Sequence, residues 1–168
     1  LPGHDRLISV VGPCGAGKDS VLAAWRARLP QGAPVHFAQR VITREPDEGA
    51  ERHEAVSPAE MERLHREGEL AFHWQANGHV YGVRHEALAA LARGGWVVAN
   101  GSRSHVQVLR RMAPRARLVL VTAPAPVLAQ RLLSRGREDA AQIEARLRRN
   151  EAMLAQLHPD LVLHNEGS

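Results

Sequence analysis

Cysteine is almost missing from this chain: Cys14 is the only one in 168 residues. No internal disulfide can form, which agrees with a reducing compartment. Aromatic residues are scarce too, with three Trp, two Phe and one Tyr. The arginines are spread out rather than gathered in a basic tail, and there is little to stack on bases, so nucleic acid is not the expected partner. No apolar run reaches membrane length and no basic-then-apolar leader is seen, so neither membrane contact nor export is expected, and the expected location is cytoplasmic. Leu1 rather than Met opens the sequence and it stops soon after an apparent strand. Residues beyond both ends, a closing helix among them, are therefore expected.

What is present fits one domain, long enough for a real core and too short for two. Its formal charge is +4, carried mainly by arginine, whose flat fork suits bidentate contact with phosphate oxygens. The expected partners are accordingly small phosphorylated molecules, bound by a monomer or a homodimer.

Leu7 to Val11 is a short apolar run ending in a glycine-rich turn, which predicts a buried parallel strand. Ser20 to Leu29 predicts a helix stopped by Pro30 and Gly32, Val35 to Val41 a second strand, and Thr43 to Val56 a mobile loop. Ser57, Pro58 and Glu60 supply an N-cap, a proline at N1 and a capping-box acid for a helix over 58–66. Asn77-Gly78 between two apolar runs, 70–75 and 79–83, predicts a hairpin. Helices are expected over 85–93, 106–112 and 126–135, and another is expected to carry Ile143, Leu147, Leu154 and Leu157 on one face; strands are expected over 96–99, 118–121 and 161–163. Alternating strands and helices imply an α/β fold, a parallel sheet covered on both faces. The expected layout is a core of 1–42 and 84–168, a small α+β insert of about 43–83, and a helical lid of about 131–146.

Gly12-Pro13-Cys14-Gly15-Ala16-Gly17-Lys18 has the spacing of a phosphate-binding P-loop, set between a predicted strand and a predicted helix. The glycines let several N–H groups face one anion, the helix N-terminus adds positive potential, and Lys18 would reach the β- and γ-phosphates. Asp19 stands where Ser or Thr usually offers Mg²⁺ a hydroxyl, and Ser20 follows. A carboxylate is also a hard ligand for Mg²⁺, and Asn100, not an acid, ends the strand that often supplies a second one. Asp19 is thus either the metal contact or a cap on its helix. Arg131, Arg135, Arg137 and Arg146 gather around Gly136, where they either stabilise a transferring phosphoryl group or form a solvated face. Arg103 and His105 follow a strand at its C-terminal end, where such sheets bind ligands, and are candidates to hold a sugar phosphate, though His105 reads equally well as a surface loop residue. His73, His79 and His85 do not make a convincing metal cluster.

The P-loop, Thr43-Arg44-Glu45-Pro46, the hairpin ending Tyr81-Gly82, Arg135-Gly136-Arg137-Glu138 and Arg146-Leu147 together resemble guanylate kinases over nearly the whole chain. That resemblance implies a P-loop kinase using ATP and Mg²⁺. It further implies that Arg44 and Tyr81 hold the acceptor's phosphate, and that residues 12–20 with Arg131, Arg135 and Arg146 meet the ATP phosphates. The groups that would read guanine are replaced by His73 and Val83, and a second phosphate-binding arginine by Asp47, so GMP is a poor acceptor. Gly17-Lys18-Asp19-Ser20, His53-Glu54-Ala55-Val56-Ser57, Trp74-Gln75-Ala76-Asn77-Gly78, Tyr81-Gly82-Val83 and Asn100-Gly101-Ser102-Arg103 are similar to the ribose 1,5-bisphosphate phosphokinases of bacterial phosphonate breakdown. His73, Asn100 and Arg103 are the further candidates for the acceptor site. A nucleoside monophosphate kinase of altered preference and a non-catalytic binding module are the alternatives, and an intact Lys18 with Arg135 favours catalysis.

Overall fold

A computed structural model of the chain describes residues 1–45 and 52–166. Five parallel strands form the larger sheet, in the spatial order β2 (Val35–Ala38), β7 (Trp96–Asn100), β1 (Leu7–Val11), β8 (Arg117–Thr122) and β9 (Leu161–His164). The central strand is apolar along both faces because both are covered. Val10 packs with Val98, Val121 and Leu128, under α1 (Lys18–Arg28) and α5 (Ala125–Ser134). On the other face Leu7 meets Leu91 and Leu109, while Val11 meets Val106 and Leu157. These come from α3 (Ala89–Ala92), α4 (Val106–Met112) and the last turn of α6 (Ala140–Leu157). The expected α/β core is what forms, and no helix of the described residues is long and apolar enough to cross a membrane.

The run from Val35 to Val41 does not make one strand. Gln39 and Arg40 break it, and β3 (Val41–Ile42) joins a second sheet. Local composition does not reveal that the two ends of this stretch pair with different strands, so the change of sheet falls two residues ahead of the expected boundary at 43. The second sheet has the order β4 (Glu54–Ala55), β3, β6 (His79–Arg84), β5 (Leu70–Ala76). Asn77 at φ 53 and Gly78 at φ 77 give the hairpin both positive-φ residues that a type I′ turn needs. Residues 46–51 of the stretch expected to be a mobile loop, Asp47 included, lie outside the described residues, and Glu54–Ala55 of the same stretch form β4.

Met61 and Leu64 of α2 (Pro58–Arg66) cover one face of this second sheet, packing with Val41, Leu70 and Val80. The helix starts as expected, with Glu60 N–H donating to Ser57 Oγ at 3.1 Å. The Glu60 carboxylate, however, binds Arg63 rather than closing a capping box. A complete box forms instead at Asp139 and Gln142, ahead of α6. The expected helix over 85–93 is a 3-10 turn, His85–Leu88, followed by the short α3.

The opposite face of the second sheet carries Phe72, Trp74, Tyr81 and Val83 into the cluster that holds Leu7 and Leu109. His105 closes this seam. It is only 3% exposed and stacks on Trp74 at 4.1 Å between ring centroids, while Trp74 stacks on Tyr81 at 5.5 Å. It is therefore a packed aromatic rather than a surface loop residue. Burial, with the nearby His73 adding to it, pushes His105 down to about 4, below the ~6.5 of an unfolded chain. Between these values the unfolded chain takes up a proton that the folded one refuses. Stability from this group is thus intact above pH ~6.5 and is lost as the pH falls toward 4. In thermal unfolding, His105→Phe is expected to flatten this acid slope; equal slopes for variant and parent would refute it.

Candidate active site

The site begins at the turn between β1 and α1, where glycine is a steric requirement. A Cβ on Gly12 would lie 2.2 Å from the Val121 carbonyl oxygen, and one on Gly17 2.4 Å from Asn165 Nδ2. Gly15 and Gly17 have φ of 86 and 78, in the left-handed region where L side chains are strained. Gly17 caps α1, so the helix starts at Lys18 and directs its first N–H groups toward the turn. Lys18, the sole lysine of the chain, donates from Nζ to Gly101 O at 2.9 Å.

Two side chains from distant parts of the sequence tie this turn down. Asn165 donates from Nδ2 to Ala16 O at 2.8 Å, and its own N–H donates to Thr122 O at 2.7 Å. Arg131 donates to Gly15 O at 2.9 Å and to Asn165 O at 3.0 Å. Arg131, expected to contact ATP, thus holds the backbone of the loop. Asn165 escaped the sequence reading because its partner is 149 residues away and a lone Asn after a strand carries no signal.

Asp19 is exposed at the start of α1, and Asn100 Nδ2 donates to its Oδ1 at 3.2 Å. Among the described residues no group of three or more His, Cys, Asp or Glu is placed to hold a metal ion. One carboxylate beside a phosphate loop fits Mg²⁺, which keeps most of its waters and takes further oxygens from substrate phosphates. Beside Asp19 and Asn100 a cleft of about 590 Å³ opens between α1 and the end of β2, with Arg26, Phe37, Gln39 and Arg52 on its walls.

Arg103, in a 3-10 turn after β7, donates to Asn150 Oδ1 of α6 at 2.6 Å. Burial holds its guanidinium below the usual arginine value; the Cys14 sulfur of the P-loop opposes this, and the Arg146 charge adds to it. Arg103, Cys14 and Arg146 therefore share one neighbourhood. Arg146 is paired with Glu138. Arg135 and Arg137 are exposed, in the link between α5 and α6 beside Gly136.

On the second sheet Tyr81 is buried, with the Arg40 guanidinium 4.9 Å from the centre of its ring. Arg40 is itself 6% exposed and was not picked out from the sequence. Arg44 is half-buried, and its carbonyl is bound by His53 Nε2 at 2.9 Å. His73 does not join them. It pairs across the hairpin with Gly82, and its neighbour Trp74 pairs with Tyr81, so alternation puts His73 on the other face, where its ring meets His65 of α2 at 4.0 Å. Val83 lies in the core.

The family model for guanylate kinase matches residues 4–167. A protein of Pseudomonas fluorescens named ribose 1,5-bisphosphate phosphokinase PhnN is 44% identical over 152 residues, covering 90% of this chain and 80% of that protein. One of the same name from Desulfomicrobium baculatum is 42% identical over 157 residues, covering 94% and 83%. Among solved structures, the guanylate kinase of Anaplasma phagocytophilum superposes with a TM-score of 0.69 at 18% identity, covering 99% of this chain and 80% of that one. At that identity the likeness concerns the fold.

Asn165→Ala removes the amide that holds Ala16 O. ADP affinity is expected to weaken about tenfold, the equivalent of one hydrogen bond, and amide exchange over residues 14–17 to quicken. Unchanged exchange there would show that the tie does not stabilise the loop.

Proposed function

The chain belongs to the guanylate kinase family, and from that premise we propose that it transfers the γ-phosphoryl group of ATP to the 1-phosphate of ribose 1,5-bisphosphate, forming 5-phosphoribosyl 1-diphosphate and ADP. The observation that carries the choice of acceptor is the identity of 44% across 90% of the chain with a relative named for that substrate. The sheet face holding Tyr81 supports it: its neighbours there are Phe72, Trp74 and Val83, which offer no carboxylate to a guanine.

An oxygen of the acceptor phosphate attacks the γ-phosphorus as the bond to the β–γ bridging oxygen breaks, and the electron pair leaves with ADP. That oxygen is already ionised at neutral pH, so no general base is needed, and the protein's part is alignment and charge stabilisation. The Gly12–Lys18 turn cradles the phosphates of ATP, and Lys18 with Arg146 and Arg135 faces the transferring group. Arg44 and Tyr81 take the acceptor phosphate, and Asn100 and Arg103 lie between the two substrates. Mg²⁺ would be held by Asp19 and would supply charge neutralisation. Dependence on ATP supports a cytoplasmic location.

ADP release from Mg-ATP is the direct test, comparing ribose 1,5-bisphosphate with GMP and ribose 5-phosphate. Turnover is expected with the bisphosphate, and Lys18→Ala is expected to lower it by about 10²–10³-fold. Preference for GMP would replace the proposed acceptor. Asp19→Ala is expected to raise the Mg²⁺ concentration needed for half-maximal rate; if the requirement is unchanged, Asp19 only caps its helix.

A further inference from the structure

Arg103 carries a charge that its surroundings orient without neutralising. Its hydrogen bond goes to the side-chain oxygen of Asn150, a neutral acceptor. No ion pair joins Arg103 to a carboxylate among the described residues, in contrast to Arg146, which pairs with Glu138. Cys14 of the P-loop is near enough to favour its charge, and a second guanidinium, that of Arg146, near enough to disfavour it. Arg103 also sits two residues after Gly101, whose N–H donates to Val10 O at 2.8 Å and whose oxygen receives Lys18 Nζ at 2.9 Å. The loop that carries Arg103 is thus fastened to the end of β1 and to the P-loop lysine.

Asn150 is a costly choice for its position. It is 4% exposed within α6, and its Nδ2 has no hydrogen-bond partner among the described residues. A buried, unsatisfied polar group destabilises the fold, and Asn is a weak helix former. An apolar residue would serve the helix better, and an Asp would hold a guanidinium more tightly. An amide is the choice that orients an arginine and leaves its full charge for something else.

We propose that Arg103 is a catalytic residue that stabilises charge on the transferring phosphoryl group, and that Asn150 is the positioning residue that aims it. The assignment rests on the kinase reading above and moves Arg103 from the sugar-phosphate side to the group in transit. The reaction gains no new reactant: the γ-phosphoryl passes from the bridging oxygen of ATP to the acceptor oxygen as before, with Arg103 balancing the charge spread over its equatorial oxygens.

Steady-state ADP release with ribose 1,5-bisphosphate and with GMP, for the parent chain, Arg103→Lys, Asn150→Asp and Asn150→Leu, tests this. Arg103→Lys is expected to lower kcat about 10²-fold, with KM for ATP changed by no more than about twofold. Asn150→Asp is the decisive variant. It keeps the shape and the hold on Arg103 but cancels its charge, so kcat is expected to drop about tenfold or more while the melting temperature does not fall. A tether of merely structural value is satisfied by either oxygen, so a parental kcat in Asn150→Asp overturns the proposal. Asn150→Leu is expected to keep or raise the melting temperature while lowering kcat. If either Asn150 variant fails to fold, Arg103→Lys decides, and a parental kcat there overturns the proposal. Parental turnover of GMP alone would remove the proposed acceptor and leave Arg103 to be judged on GMP, since the transferred group is the same. No parental turnover with either acceptor overturns both readings.

Discussion

The close packing of the turn after β1 against the ends of β8 and β9 is the constraint on which the rest of the structure depends. With a Cβ on Gly12 only 2.2 Å from the Val121 carbonyl and one on Gly17 only 2.4 Å from the Asn165 amide, the turn has no side-chain room. In exchange it gains fixed backbone, because Asn165 and Arg131 bind the carbonyls of Ala16 and Gly15. That backbone positions the start of α1, and with it Lys18 and Asp19. In the proposed reaction the loop would work through preorganised N–H groups, so the rigidity of this contact would serve function as well as structure.

The second constraint is the change of sheet at Gln39 and Arg40. Because β2 pairs with β7 while β3 pairs with β6, the chain leaves the core beside the cleft that holds Asp19 and Asn100. The second sheet then returns its aromatic face to the core through Trp74 and His105. His105 belongs to the loop after β7, the same loop that supplies Gly101 to Lys18 and Arg103 to Asn150. One loop therefore touches the P-loop, the second sheet and α6.

Charge is handled differently in the two regions. On the second sheet Arg84 is shared by Glu54 and Glu69, and on α2 Arg63 is shared by Glu60 and Glu67. Solvent screens these partly exposed pairs, so they add little to stability and serve local structure. Near the P-loop, Arg103 is oriented by a neutral amide instead. The same neighbourhood also holds Arg146 paired with Glu138, so an arginine with a carboxylate partner and one without lie side by side. Composition alone does not separate the two, since it counts all arginines alike.

Local patterns in the sequence determined much of this protein. The glycine spacing of 12–17 before Lys18, the hairpin at Asn77-Gly78, the start of the helix at Pro58 and the apolar strands of the core are set by φ preferences, capping and burial, which act over a few residues. The family resemblance rested on the same short stretches. Only the tertiary structure decided that Val35 to Val41 spans two sheets, that His73 turns its ring to α2 and away from Tyr81, that His105 is a buried aromatic, and that Arg131 and Asn165 brace the loop. Each of these depends on a pairing or packing partner between 8 and 149 residues distant, and no local preference encodes which distant residue will arrive.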